Sequence, residues 1–289
     1  MPGQQQMLFS YKTSGGGGGT DGTFGIFAIG GGYTTTNQFT YSGASVATST
    51  ALTGPSGNNN TSMGNSVKGI FQSGNASSTD KFTYSGMTVA SGTSLSGTPD
   101  PAACGNSTRS ITKYGGSFVA HTTKYTYSGD SVTTGTDLSG NLAVSGAVSN
   151  STVGIFKYGN QTTATTSQYT FSGDSVTTGT SLTTNCYQGF AFGNSTAGIF
   201  ALGYTGSYGP STNKYTYSGS SVASSTNLTV NVTGGSATGN STEGVCSFSN
   251  SSTSNVFTYS GATVASSTSF TTTLFGNQSV SNGNLGVTS

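Results

Sequence analysis

The chain is organised around a fifteen-residue unit that recurs six times, typified by Lys-Tyr-Thr-Tyr-Ser-Gly-Asp-Ser-Val-Thr-Thr-Gly-Thr-Asp-Leu at Lys124 to Leu138. The copies begin and end at Gln38 and Leu52, Lys81 and Leu95, Lys124 and Leu138, Gln168 and Leu182, Lys214 and Leu228, and Val256 and Phe270. The second aromatic residue of successive copies is spaced by 43, 43, 44, 46 and 42 residues. Such a period predicts an array of one supersecondary unit, and a shared core predicts one domain.

A second motif lies between these units and predicts a strand buried on both faces. Close copies are Gly25-Ile26-Phe27, Gly69-Ile70-Phe71, Gly154-Ile155-Phe156 and Gly198-Ile199-Phe200, with degenerate copies at Ser110-Ile111-Thr112 and Gly244-Val245-Cys246. A Gly-Asn-Ser-Thr turn usually precedes it, as at Gly105 to Thr108. Adjacent Ile and Phe side chains point to opposite faces of a strand. We therefore expect the Ile-Phe strand to be an inner propeller strand with a blade on each side.

The remaining segments predict three further strands. The two aromatic residues of Tyr-Thr-Tyr share one face, and the Ser-Gly-Asp turn reverses the chain. A Thr- and Ser-rich strand beginning at residues such as Val132 suits an outward position. A variable segment, such as Asn141 to Val144, is expected to supply the fourth strand. Four short strands in about 43 residues are typical of a propeller blade.

These patterns predict an all-β fold: a single β-propeller of six four-stranded blades. We expect residues 1–21 to form an N-terminal lead-in and residues 22–289 to form the propeller. Gly283 to Val287 reads as an extra inner strand, and Phe9 to Tyr11 as an extra second strand. Strands from the two termini would then close the ring and leave no open edge. A small seventh blade assembled from both termini is the alternative.

Composition excludes several classes of protein. Charged residues make up 5% of the chain, far below the usual quarter or so, and the net charge is +1. Arg109 and seven scattered lysines form no basic cluster, which argues against nucleic-acid binding. There is no apolar run long enough for membrane insertion, and the N-terminal residues do not read as a secretory signal. Cys104, Cys186 and Cys246 are too few and too widely spaced for a disulfide framework or a metal site, and are expected to be small buried or half-buried side chains.

Candidate catalytic residues are sparse, so we expect no enzyme and no cofactor. His121 is the only histidine and reads as a surface loop residue, which argues against copper or zinc chemistry. Glycoside hydrolysis requires two converging carboxylates. Asp130 and Asp174 occupy equivalent turn positions in successive units, and are therefore expected to lie apart and to act as turn residues.

Asn-x-Ser/Thr sequences are frequent, and most belong to the repeated turn. They include Asn75, Asn106, Asn150, Asn160, Asn194 and Asn240. We interpret them as turn residues. Glycan acceptance is the alternative for a protein exported through a glycosylating compartment.

Tyrosines near the variable, glycine-rich connections are the candidate recognition residues. They are Tyr33, Tyr114, Tyr158, Tyr187, Tyr204 and Tyr208. Tyrosine offers rigid amphipathic contact area suited to protein or sugar recognition, and packing beneath the loops is the alternative for each. The lead-in supplies a candidate anchor to a partner protein: Gln4, Gln5, Gln6, Leu8 and Phe9.

The order of these motifs resembles the kelch repeat: a hydrophobic strand, a glycine pair, a Tyr-containing strand, a turn and a hydrophobic residue closing the next strand. The chain departs from animal kelch repeats because Leu138 and its equivalents replace the closing Trp, and because a glycine pair such as Gly115-Gly116 appears in only some units. The Tyr-Thr-Tyr-Ser-Gly-Asp and Gly-Asn-Ser-Thr-x-Gly-Ile-Phe sequences are more similar to kelch-like repeats of bacteria and of phages, notably cyanophages. The resemblance covers roughly residues 22–288.

This resemblance implies a non-enzymatic bacteriophage virion protein, either a capsid decoration or a tail or fibre component, acting in assembly or host-surface attachment. Its expected partners are other virion structural proteins and a host cell-surface glycan. Its expected location is the virion, assembled in the host cytoplasm and released by lysis. The alternative is an extracellular bacterial adhesin or glycan-binding propeller at the cell surface.

Overall fold

A computed structural model describes residues 22–30, 32–54, 61–72, 77–97, 99–114, 119–141, 144–159, 163–273, 278–281 and 286–288. These residues form six four-stranded antiparallel blades around a central channel, so the fold is an all-β six-bladed propeller. The candidate anchor and the Phe9 to Tyr11 stretch lie outside the described residues. Helices are absent from the part of the chain that the structure describes, and hence no membrane-spanning helix occurs there.

Each blade contains strands a to d, counted from the centre outwards, and blades 1 to 6 are numbered in the chain order of their b strands. The a strands are β4 (Ser62–Gly64), β8 (Pro99–Gly105), β12 (Val144–Ser149), β16 (Phe190–Gly193), β20 (Gly235–Gly239) and β24 (Gln278–Ser281). The b strands are β1 (Phe24–Ala28), β5 (Lys68–Gln72), β9 (Arg109–Tyr114), β13 (Val153–Tyr158), β17 (Ala197–Ala201) and β21 (Glu243–Phe248). The c strands are β2 (Thr36–Thr40), β6 (Thr79–Thr83), β10 (Thr122–Thr126), β14 (Thr166–Thr170), β18 (Thr212–Thr216) and β22 (Ser254–Thr258). The d strands are β3 (Ser45–Ser49), β7 (Thr88–Ser91), β11 (Ser131–Thr134), β15 (Ser175–Thr178), β19 (Ser221–Ser225) and β23 (Thr263–Ser267).

The Ile-Phe strand is strand b, not the innermost strand, so the predicted strand order within a blade was wrong by one position. The variable segment that was expected to end each blade instead forms strand a of the next blade. The prediction of burial on both faces is confirmed. Ile155 packs in a cluster with Phe192 of the following blade, whereas Phe156 packs in a cluster with Cys104 of the preceding blade.

The ring is closed by a strand from the C-terminal region. Strand β24 pairs with β1 and completes blade 1, whose other three strands come from the N-terminal side of the chain. We expected Gly283 to Val287 to supply this inner strand. Instead, β25 (Gly286–Thr288) pairs with both β8 and β12 and approaches all six a strands, so it lies in the central channel.

Glycine at the second position of strand b allows adjacent blades to pack closely. A Cβ atom on Gly154 would lie 2.2 Å from Cys104 Sγ of the preceding blade. Equivalent clashes would occur between Gly198 and Val148, and between Gly244 and Phe192. The glycine of the Gly-Ile-Phe motif is therefore required by a side chain from the neighbouring a strand.

A ring of identical hydrogen bonds links every blade to the next. In each unit the thirteenth residue is a threonine whose hydroxyl donates to the backbone carbonyl of the seventh residue of the next unit. The pairs are Thr50 with Met87, Thr93 with Asp130, Thr136 with Asp174, Thr180 with Ser220, Thr226 with Ala262, and Thr268 with Ala44. The accepting residues all have positive φ, between 45° and 51°. The last pair spans the ring closure and shows that blades 6 and 1 pack as the other blades do.

Ion pairs reinforce the contacts of blades 2 to 4. Asp130 of blade 3 accepts hydrogen bonds from Lys68 and Lys81 of blade 2, and Asp174 of blade 4 accepts them from Arg109 and Lys124 of blade 3. Burial alone would raise the pKa of Asp130, but hydrogen bonds from Lys68, Lys81 and Tyr125 outweigh burial and lower that pKa to about 2. These aspartates occupy turns, as predicted, and they also join blades.

Replacing Gly154 with Ala should destabilise the protein by about 1–3 kcal/mol, because the new methyl group meets Cys104 Sγ. Cys104→Ala removes that sulfur, so the nearest remaining atoms are Phe171 Cζ at 3.3 Å and the Cβ atom of residue 104 at 3.5 Å. The double variant should therefore lose less stability than the sum of the two single losses, as measured by urea unfolding. Gly209→Ala is the control, because nothing lies within 4 Å of a Cβ there. Strict additivity would contradict the proposed contact.

Asp130→Asn should lower the free energy of unfolding at pH 7 by about 1–2 kcal/mol, because the side chain keeps its shape but loses its charge. A lowered carboxyl pKa contributes stability that is present above the unfolded-state value of 3.8 and is lost as the pH falls through about 2. The difference between wild type and variant should therefore shrink across that window in urea titrations. Asp137→Asn is the exposed control and should have little effect. A difference that persists undiminished at pH 2 would indicate lost packing rather than lost charge.

Candidate functional site

The largest departure from the repeat lies on blade 5. Connections b–c and d–a lie at one end of the ring, which we call the loop end, and connections a–b and c–d lie at the other, which we call the turn end. The b–c connection of blade 5, residues 202–211, is the longest of the six and accounts for the 46-residue spacing. It meets the d–a connection that enters this blade, residues 179–189, through isolated bridges of Tyr187 with Gly203 and Tyr204.

Three of the predicted tyrosines come together here with a glutamine, and we call Tyr187, Gln188, Tyr204 and Tyr208 the blade-5 cluster. Tyr187 and Tyr204 exchange backbone N–H to carbonyl hydrogen bonds, both at 2.9 Å. The rings of Tyr204 and Tyr208 meet edge to face with centroids 5.3 Å apart. The Tyr208 hydroxyl donates to Gln188 Oε1 at 2.8 Å, and Tyr208 is 40% exposed. The cluster therefore presents an aromatic ring and a primary amide side by side.

The backbone beneath the cluster is held in one conformation. Gln188 has a φ of 63°, which is uncommon for a residue with a side chain. A Cβ atom on Gly203 would lie 2.6 Å from Tyr187 O, and one on Gly189 would lie 2.0 Å from Ala201 O. Both glycines are thus needed for the close approach of the two connections. This packing pre-organises the exposed side chains.

A buried lysine supports Gln188 from below. Lys157 Nζ donates to the backbone carbonyl of Gln188 and to Ser145 Oγ, the latter at 3.1 Å. Burial lowers the pKa of Lys157, and the neighbouring Cys186 offsets part of that effect. Burial also raises the pKa of Cys186, with Lys157 acting in the opposite direction. Lys157 therefore fixes the connection internally and is not a surface charge.

Sequence reasoning did not identify Gln188 or Lys157 as part of this site. The irregular spacing of 46 residues was a usable signal for the unusual blade. Only the folded arrangement shows that Gln188 meets Tyr208 and that Lys157 of the preceding blade lies underneath, because these residues are brought together by pairing between connections.

The other predicted tyrosines occupy three different environments. Tyr33 is 56% exposed at the loop end of blade 1. Tyr114 is half-buried, with its ring 5.8 Å from the His121 ring. Tyr158 is only 1% exposed, because it packs beneath Gly140 and its hydroxyl shares a hydrogen bond with Ser167 Oγ. Tyr158 thus fills space beneath a loop, and its position does not fit surface recognition.

The titratable residues considered for catalysis lie apart. His121 is exposed and its Nδ1 lies 3.0 Å from Asp137 Oδ1. Asp130 and Asp174 each bind cations of a different preceding blade, as described above. Among the described residues, no group of three His, Cys, Asp or Glu side chains is arranged to hold a metal ion. The three cysteines are buried and unpaired in disulfides.

The repeated asparagine turns bind the blades together at the turn end. Asn194 Oδ1 accepts hydrogen bonds from Thr196 N and Ala197 N, and its Nδ2 donates to Ser241 O of the next blade at 3.1 Å. Asn240 does the same and donates to Gly22 O across the ring closure. Both asparagines are less than a tenth exposed. This geometry supports the turn interpretation of these sequences, because the amide nitrogen that a glycan would modify is engaged in the structure.

No protein-family model matches the chain, and no curated protein matches its sequence.

Proposed function

We propose that this chain is a non-enzymatic structural protein of a bacteriophage virion, a kelch-like propeller that decorates the capsid or belongs to the tail or fibre, and that it acts in assembly or host-surface attachment. The repeat resemblance suggests the phage setting. The structural observation that carries the proposal is the placement of charge. The described Lys and Arg side chains are paired between blades or buried, except for the exposed Lys214.

This placement gives a surface dominated by Ser, Thr, Gly and Asn. The exposed d strands, such as Ser131–Thr134 and Ser175–Thr178, carry hydroxyl and small apolar side chains. Contacts made by such a surface depend little on salt, because they are not ionic. Few exposed Lys or Arg side chains also means few sites for trypsin-like proteases. Both properties suit a protein that must persist on a particle outside a cell.

The two ends of the ring suit different roles in this proposal. The turn end is occupied by asparagine turns and ion pairs between blades, whereas the loop end carries the variable connections and exposed tyrosines. We assign host-surface contact to the loop end. Attachment to the particle is assigned to the N-terminal lead-in with Gln4, Gln5, Gln6, Leu8 and Phe9.

An extracellular bacterial adhesin or glycan-binding propeller is the second candidate. It is favoured by the blade-5 cluster, because an exposed tyrosine beside an amide is suited to sugar recognition. Such recognition does not require the chain to belong to a phage particle. The two candidates differ in where the chain resides, and a location experiment separates them.

Mass spectrometry of phage particles purified from the source culture should find this chain together with capsid and tail proteins. It should remain bound after a wash in about 1 M salt, because non-ionic contacts are weakly screened. Cryo-electron microscopy of those particles should then show the propeller on the capsid or tail. A chain recovered only from the host cell surface or the culture fluid would overturn the virion proposal in favour of the adhesin.

Deletion of residues 1–12 should abolish incorporation into particles while leaving the thermal unfolding temperature of the propeller unchanged, because the described strands of the closed ring begin only at Phe24. Incorporation is measured by immunoblotting purified particles from cells that express the deleted chain. Tyr33→Ala in the full-length chain is the control for a change at the loop end. Normal incorporation of the deleted chain would show that the lead-in is not the anchor.

A further inference from the structure

We infer that the blade-5 cluster is a binding site for a neutral glycan, with one pyranose ring stacked on Tyr208 and its hydroxyl groups hydrogen-bonded by Gln188. This inference rests on the proposed role in surface attachment and names the chemistry of that contact. No other part of the loop end combines an exposed aromatic ring, a directly bonded amide and a fixed backbone in the described structure.

The ring of Tyr208 is suited to stacking. It is 40% exposed, and its edge-to-face contact with Tyr204 holds it in one orientation. A rigid aromatic side chain offers apolar contact area at a small cost in conformational entropy. The apolar C–H face of a pyranose fits such a ring, whereas an aliphatic side chain of a protein partner would require a groove.

Gln188 supplies polar selectivity beside the ring. Its Oε1 accepts the Tyr208 hydroxyl at 2.8 Å, and its Nε2 has no acceptor among the described residues. The amide can therefore donate to a sugar hydroxyl, and the tyrosine oxygen can accept from one. Paired donors and acceptors of this kind match the vicinal hydroxyl groups of a hexose.

The ligand should be uncharged. Neither segment of the cluster, residues 183–189 or 202–211, contains Asp, Glu, Lys or Arg. The nearby cation, Lys157, is buried and bonded to Gln188 O and Ser145 Oγ. A sulfated or strongly acidic glycan would find no counter-charge here, whereas a neutral hexose polymer requires none.

Lys157 is a positioning residue for this site. It bonds to the backbone of Gln188, whose φ of 63° and adjoining Gly189 set the direction of the side chain. Lys157→Met keeps most of the buried stem and removes the bond to Gln188 O. Affinity should then fall several-fold while the preference among glycans stays the same, since Lys157 does not touch the ligand.

The full-length chain should be screened on an array of neutral hexose, deoxyhexose and N-acetylhexosamine oligosaccharides, with sulfated glycosaminoglycans as acidic probes. We expect binding to neutral members only, with an affinity in calorimetric titration that changes less than about twofold between low and high salt. Tyr208→Ala should reduce that affinity at least about tenfold. Tyr208→Phe keeps the ring and loses the hydrogen bond to Gln188, so its affinity should lie between those of the wild type and of Tyr208→Ala. Val67→Ala is the control, since Val67 is an exposed apolar residue in the a–b turn of blade 2 at the opposite end of the ring, and this variant should bind as wild type.

Three results would overturn the inference: no neutral glycan bound by the folded wild-type chain, binding confined to sulfated glycans, or equal binding by wild type and Tyr208→Ala. Unfolding temperatures equal to that of the wild type would establish that a variant loses affinity at the site and not through unfolding. The outcome is separable from the virion proposal. A chain found in particles without glycan binding would overturn only this site, and glycan binding by a chain absent from particles would overturn only the virion assignment.

Discussion

Each blade of this protein buries both faces of its b strand, so every blade needs a neighbour on either side and the array has to close on itself. Ile155 and Phe156 show this requirement within two residues, since one packs towards the following blade and the other towards the preceding blade. An open array would expose one such face at each end. The pairing of β24 with β1 and the hydrogen bond from Thr268 to Ala44 O join the last blade to the first, so neither face is left exposed.

Neutral hydrogen bonds are the most numerous polar contacts between the blades. Six threonine hydroxyls donate to six turn carbonyls around the whole ring, whereas the ion pairs of Asp130 and Asp174 serve only blades 2 to 4. Neutral bonds of this kind are insensitive to salt and to pH, and each contributes about 1 kcal/mol. Many hydrogen bonds of small individual strength, rather than any single strong polar contact, therefore stabilise the ring. Such a design allows a chain with 5% charged residues to remain well folded.

The propeller could be predicted from the sequence because period and burial pattern are local properties, but the order of strands could not. The Ile-Phe pattern predicts burial on two faces, and strands a and b both meet that condition. The motif was therefore assigned to the innermost strand, whereas it lies on strand b. The closing strand was likewise predicted at Gly283 to Val287 rather than at Gln278–Ser281, because short strands of small residues have similar sequences.

The ring of threonine hydrogen bonds has a visible signal in the sequence, because the thirteenth residue is Thr in all six units. The accepting residue varies, since only its carbonyl group and its positive φ matter. The blade-5 cluster depends on pairing between two connections, and no spacing within one connection indicates it.

The lengths of the connections show where such a fold can vary. All six c–d turns contain four residues, and the five a–b turns within continuous segments contain three, because their carbonyls, asparagines and aspartates bond to the adjacent blade. The b–c connections differ in length from residues 249–253 to residues 202–211. An insertion at the turn end would break contacts between blades, whereas an insertion at the loop end lengthens a connection without moving a strand. A new binding surface on this ring therefore arises at lowest cost in stability on the loop end. The one blade with a marked insertion is also the blade whose tyrosines and glutamine converge.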